Sequence, residues 1–269
     1  MLFRSQDDAH VFCLPEQISD EILAILNLTE EILSTFDFRN YEINLSTRPE
    51  KSIGEDAVWD LATQGLIEAL DRKGWTYKID EGGGAFYGPK IDLKIEDAIG
   101  RMWQCSTIQL DFNLPERFNL DYVAADGSRQ RPIMIHRAIF GSLERFFGIM
   151  TENYAGDFPF WLAPEQIRLL PVTDEVRDYA ESVATALKAA GVRASVDHSG
   201  DRLGKLIRNG EQMKIPVLGV IGAKEAEGGS ISLRSRRDGD LGSIPLDTLV
   251  AAAQVANQDR GAGLKISPC

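Results

Sequence analysis

Polar and apolar residues alternate from Gln6 through Asp7, Asp8, Ala9, His10 and Val11 to Phe12, a pattern that reads as a β-strand. On that reading Gln6, Asp8 and His10 share one strand face. Between residues 15 and 34 the period lengthens. Ile18, Ile22, Ile25, Leu26, Leu28 and Ile32 fall at helical spacing, with Pro15 in the favoured first turn. The segment YEINLST predicts a second strand, and residues 56–72 a second helix closed by Lys73-Gly74. WTYKI, an EGGG turn and a strand near residues 91–95 follow. A longer strand over residues 101–112 looks too polar on both faces to belong to the core. After a DGS turn the strand IMI leads into HRAIFGSLERFFGIMTENY, which predicts one helix beginning at His136. Strands in the middle and helices at both ends imply a largely antiparallel sheet with helices packed on it.

Around WLAPEQ the rhythm changes. IRLLPV, VRASVD and PVLGVIG read as strands separated by helices over residues 174–190 and 203–213; SISLRSR and a helix over 246–256 come last. That is a separate α/β domain with a mostly parallel core, so the chain as a whole is α+β followed by α/β. The expected boundaries are 1–161 for the first domain, 162–166 for a linker, 167–256 for the second domain and 257–269 for a disordered tail.

With 269 residues the chain is long enough for one or two domains with real cores. No apolar run approaches a membrane span, and the first residues show no secretion signal. Cys13, Cys105 and Cys269 are odd in number and far apart, which fits a reducing compartment and a cytoplasmic location. A net charge of -12 argues against broad, non-specific nucleic-acid binding, although Arg234, Arg236 and Arg237 form a local basic patch.

Asp8 and His10 could together hold a ligand amine and a metal ion, or simply form an exposed polar strand face. His136 alone reads as a cap or core histidine. Two histidines do not complete a zinc site, and by strand parity Cys13 points away from His10. Gly82, Gly83 and Gly84 resemble a phosphate loop only superficially, since no GKS or GKT follows. Tyr87 and Lys90 bracket the rigid Gly88-Pro89 turn, which could aim an aromatic ring and a cation at a ligand. By parity Cys105, Thr107 and Gln109 share a strand face and Gln104 takes the other. Arg145 follows Gly141 and could bind a triphosphate and stabilise charge on a leaving phosphate, or make a surface salt bridge.

The strings QDDAHVFC, LSTRPEKSIG, GAFYGPKIDL, QCSTIQLDF, MIHRAIFGSLERF and WLAPEQ occur in one order, and together they resemble the threonyl-tRNA synthetase family of class II aminoacyl-tRNA synthetases. The resemblance runs from about Gln6 to Val255. It implies the second half of a catalytic domain built on an antiparallel sheet, followed by an anticodon-binding domain. It also implies a ligase that activates threonine with ATP and magnesium and transfers it to tRNA(Thr), as a homodimer in the full-length family. Within it, His10 and His136 match zinc ligands, and Gln6, Asp8, Thr107 and Gln109 match the threonine pocket. Tyr87, Lys90 and Arg145 match catalytic positions, Gln104 and Arg145 ATP-binding ones, and Glu225 and Arg234 anticodon contacts.

The sequence departs from the family pattern at four places. The family's third zinc ligand, a cysteine upstream, has no counterpart here, and motif 1 is missing. Arg4 does not have the spacing of the motif 2 arginine, so residues 1–5 read as a truncated start. Gly200 stands where the family has an asparagine. Two readings stay open: a threonine–tRNA ligase by descent, or a catalytically incomplete fragment that at most binds the tRNA anticodon.

Overall fold

The structure, a computed structural model, describes residues 5–266, so Arg4 and Cys269 lie outside the described residues. The chain divides into two units, Met1–Asn153 and Tyr154–Cys269.

In the first unit the strands are β1 (Ala9–Cys13), β2 (Tyr41–Ser46), β3 (Lys78–Asp80), β4 (Lys90–Glu96), β5 (Met102–Asp111), the small hairpin β6 (Tyr122–Val123) and β7 (Arg129–Gln130), and β8 (Ile133–Ala138). The helices are α1 (Ile18–Thr35), α2 (Asp56–Lys73), α3 (Asn113–Arg117) and α4 (Leu143–Asn153). Six strands form one sheet in the order β1-β8-β5-β4-β2-β3. Every neighbouring pair is antiparallel except β2 and β3. Ile43, Leu45, Ile91, Leu93, Ile95, Ile108, Leu110, Ile133 and Ile135 are buried on one face, with apolar positions two apart along each strand. Helix α2 ends as its sequence predicts, with Gly74 left-handed at φ 72°.

Two expectations are corrected here. The strand expected outside the core, β5, lies inside the sheet between β4 and β8. Its apolar side chains Ile108 and Leu110 are fully buried, while its polar ones line a cavity on the opposite face. His136 does not begin a helix. It belongs to β8, and α4 starts seven residues later, at Leu143. The helix-like period of HRAIFGSLERF is broken at Gly141, whose φ is +72°. A Cβ there would stand 2.6 Å from the Cys105 carbonyl oxygen, so glycine lets the chain turn against β5.

The second unit contains β9 (Ile167–Pro171), α5 (Arg177–Ala189), β10 (Ala194–Val196), α6 (Leu203–Gln212), β11 (Val217–Ile221), α7 (Ala223–Gly228), β12 (Ser230–Ser235), β13 (Gly239–Pro245) and α8 (Leu246–Gln258). The sheet order is β10-β9-β11-β12-β13, parallel for the first three strands and antiparallel for the last two. Val183, Leu187, Leu249 and Ala253 join one core with Ile167 and Leu169. Leu206 and Ile215 join another with Leu170 and Leu218. The short α7 and the polar strand β13 had no apolar period to announce them.

Residues expected to be linker and tail carry structure. Gln166 is fully buried; it donates to the Phe160 carbonyl and accepts from the Arg193 N–H. Over its described part the tail is ordered rather than disordered: the Ala262 carbonyl accepts the Phe160 N–H at 3.0 Å and Leu264 is buried in the core.

Candidate active site

The polar face of the first sheet is set by register. Ser46, Lys90, Gln109, His136 and His10 lie opposite one another in a row across β2, β4, β5, β8 and β1. Asn44, Asp92, Thr107 and Ala138 form the next row. The register then shifts: Leu93 pairs with Ser106 but Lys94 with Gln104, which leaves Cys105 as the extra residue of a β-bulge. That bulge corrects the parity reading. Gln104 joins the face of Thr107 and Gln109, and Cys105 is buried.

A cavity of about 520 Å³ opens over these rows. Gln6, Asp8, Gln104, Thr107, Gln109, His136 and Arg145 all line it, so residues drawn from three separated segments meet at one place. Tyr87, Lys90 and His10 support its walls. The Tyr87 hydroxyl donates to Gln109 Oε1 at 2.6 Å. Burial, then the nearby Asp111 and Asp8 carboxylates, push the Tyr87 phenol up from its ordinary value, so it remains a neutral donor. The rigid Gly88-Pro89 turn is pressed against β5: a Cβ on Gly88 would lie 1.9 Å from the Leu110 carbonyl oxygen. The Lys90 ammonium is not free; it sits 2.6 Å from Asp92 Oδ2. Arg145 donates to the Gln104 carbonyl at 3.1 Å and its guanidinium lies 5.6 Å from the Trp103 ring centroid. Among the described residues no carboxylate is recorded in an ion pair with it.

Three carboxylates escaped the sequence reading. Asp7 accepts the N–H groups of Ile139, Phe140 and Gly141 at 2.7, 3.0 and 3.1 Å and pairs with Arg137 at 3.5 Å, clamping the turn before α4. Asp92 binds Lys90, Gln104 and Thr107. Asp111 lies 2.9 Å from His136 Nε2 and caps α3 through the Asn113 and Leu114 N–H groups. Burial alone would raise the Asp111 carboxyl; hydrogen bonds from His136, Leu114 and Asn113 outweigh it and hold the group below the usual carboxylate range. A signal was present: each is an acid beside or within an apolar strand.

The His10 and His136 rings meet edge to face, 4.7 Å between centroids. Because Asp111 can only accept, it fixes the proton on His136 Nε2 and leaves Nδ1 as the available ligand atom. Among the described residues no group of three or more His, Cys, Asp or Glu is placed to hold a metal ion. The two imidazoles therefore fit part of a zinc site and not a whole one. Burial pushes the Cys105 and Cys13 thiols up to about 11, so neither is a thiolate at neutral pH.

In the second unit Glu225 and Arg234 are each engaged within the protein. Glu225 accepts from the Gly222 N–H at 2.9 Å and the Ser232 hydroxyl at 2.8 Å. The Ser232 bond is the main reason its carboxyl lies below the ordinary range. Arg234 is exposed and pairs with Glu211 at 3.2 Å. Arg236 of the basic patch pairs with Asp157 at 2.9 Å.

Residues 3–154 match the tRNA synthetase class II core domain (G, H, P, S and T), and residues 166–255 match an anticodon binding domain. The chain belongs to the class II tRNA synthetase family. Within that family it matches threonine–tRNA ligases. It is 82% identical to the threonine–tRNA ligase of Synechococcus sp. (strain CC9605) over 98% of this chain and 43% of that protein. It is 84% identical to that of Synechococcus sp. (strain CC9311) over 97% of this chain and 42% of that protein. The crystal structure of the RNA binding domain of threonyl-tRNA synthetase from Cryptosporidium parvum Iowa II superposes with a TM-score of 0.89 at 38% identity, covering 97% of this chain and 64% of that one. The chain spans about two fifths of the length of the curated relatives it matches. No helix among the described residues is long and apolar enough to cross a membrane.

Proposed function

We propose that this chain carries the C-terminal catalytic and anticodon-binding portion of a threonine–tRNA ligase. The observation that supports this most is the single cavity in which Gln6, Asp8, Gln104, Thr107, Gln109, His136 and Arg145 meet. In the proposed reaction the threonine carboxylate attacks the α-phosphorus of magnesium-bound ATP in line, releasing pyrophosphate. The terminal hydroxyl of tRNA(Thr) then attacks the acyl carbonyl of the adenylate, giving up its proton as the acyl–phosphate bond breaks and AMP leaves. Arg145 stabilises phosphate charge from its Trp103 and Gln104 supports. Asp8 holds the threonine ammonium, and the Tyr87–Gln109 pair fixes the pocket wall so that the reactants stay oriented. A pocket that satisfies a hydroxyl rejects valine, which leaves such groups unpaired. His10 and His136 would supply two of the zinc ligands that the family uses, and Glu225 and Arg234 would meet anticodon bases. A cytoplasmic setting is proposed, with homodimerisation belonging to the full-length family.

A second reading is favoured by one observation: the His10–His136 pair has no third ligand among the described residues. On that reading these 269 residues bind tRNA through the second unit and form no adenylate. Threonine-dependent ATP–pyrophosphate exchange with zinc supplied separates the two. Exchange above background supports catalysis by this chain. A folded protein that binds tRNA(Thr) without exchange supports the fragment.

A further inference from the structure

We infer that Asp92 is a positioning residue that decides which polarity the cavity floor shows to a ligand. The inference rests on the reading of that cavity as the substrate site. Asp92 is 3% exposed, on β4 between Asn44 and Thr107. Its Oδ1 accepts from Gln104 Nε2 at 2.6 Å and from the Thr107 hydroxyl at 2.9 Å. Its Oδ2 lies 2.6 Å from the Lys90 ammonium and accepts from Ser46 at 3.4 Å.

A carboxylate in an ion pair has nothing to donate. The Gln104 side chain must therefore turn its NH₂ toward Asp92, whichever way an amide could otherwise flip. The same nitrogen also donates to Thr107 Oγ1, at 2.9 Å. Both amide hydrogens are thus committed beneath the floor, and so is the hydroxyl proton of Thr107. What remains for the cavity is Gln104 Oε1, an acceptor. This part of the floor takes a ligand N–H or O–H and refuses a phosphate oxygen, which is left to Arg145. Lys90 contributes its charge through Asp92 and not as a free cation.

Asp92→Asn tests this, because it keeps the shape while offering a donor and a neutral acceptor. The direct readout is the ¹⁵N side-chain NH₂ signal of Gln104, assigned by its loss in Gln104→Glu. Losing a charge-assisted hydrogen bond speeds exchange of that NH₂ by about tenfold or more and moves the signal. ATP binding, read by calorimetry, weakens about tenfold in the same variant. Should Asp92→Asn not fold, Thr107→Val removes one of the committed partners with little change of shape and moves the same signal by less. An unmoved Gln104 signal in a folded variant overturns the inference, whatever happens to binding. A moved signal with unchanged ATP affinity overturns it too, since the floor would then not govern the ligand. A moved signal in the variant, when the wild-type chain itself binds no ATP, upholds the orientation of Gln104 and sinks the proposed function instead.

Discussion

The two units place their acidic residues in opposite relations to the side chains expected to meet substrate. In the first, Asp7, Asp92 and Asp111 lie behind the cavity and hold its lining from beneath. The atoms that face the cavity are left available. In the second, Glu211 sits on Arg234, and Glu225 is itself tied to Gly222 and Ser232. Contact with RNA there means exchanging internal partners for external ones. Under the proposed function, the first unit would need little rearrangement to work, and the second is expected to bind with a cost that salt and competing charges change readily.

The strongest attempt to break that contrast is Arg145→Ala. If the cavity is preorganised for phosphate, pyrophosphate exchange, where measurable, falls by roughly 10² to 10³ while the unfolding midpoint barely moves. A fall of only a fewfold would return Arg145 to the status of a surface cation. Next comes Gly88→Ala, which forces a Cβ against the Leu110 carbonyl at 1.9 Å. The first unit loses about 1–3 kcal/mol by urea unfolding. Gly204→Ala in α6, where nothing lies within 4 Å, gains about 0.5–1 kcal/mol in the second. Equal effects of the two alanines would remove the contrast in packing.

A milder effect concerns pH. The folded Asp111 carboxyl lies below its unfolded value of about 3.9. Its contribution is thus present above that value and lost as pH falls through the folded one. Asp111→Asn lacks this contribution, so its stability gap to the parent is expected to shrink between pH 7 and strongly acidic conditions. Urea midpoints across that range check it, and a gap that widens on acidification contradicts the assignment. The smallest effect is in the second unit. Glu211→Gln releases Arg234 from an exposed pair worth about 0.2–1 kcal/mol. Affinity for an anticodon stem-loop rises a fewfold at low salt and not at high salt. Fluorescence anisotropy at two salt concentrations reads this; an affinity unchanged at both would mean that the pair does not compete with RNA.

Much of this arrangement was legible in the residues. The alternation of YEINLST, the spacing of Ile18 to Leu26 and the Lys73-Gly74 stop correspond to β2, α1 and the end of α2. The candidates were also recognisable as types, because acids, amides and histidines in strand segments have few other uses. Where the reading failed, it failed for two physical reasons. Local period cannot distinguish a strand and turn from a helix at HRAIFGS, because the deciding contact is Gly141 against the Cys105 carbonyl, 36 residues earlier in the chain. Nor can parity survive a β-bulge, which is a mismatch between two strands and belongs to neither alone.

What the sequence determined by itself was most of the strands and helices, the apolar faces of those with a clear period, and the chemistry available on the polar ones. Those follow from periods of a few residues and from the identities of side chains. Tertiary structure decided which of those groups meet. His10 stands opposite His136, Gln104 turns to join Thr107, and Asp92 accepts from both of that pair. Each of these depends on how one strand pairs with another, and register is set by burying one whole face of the sheet at once.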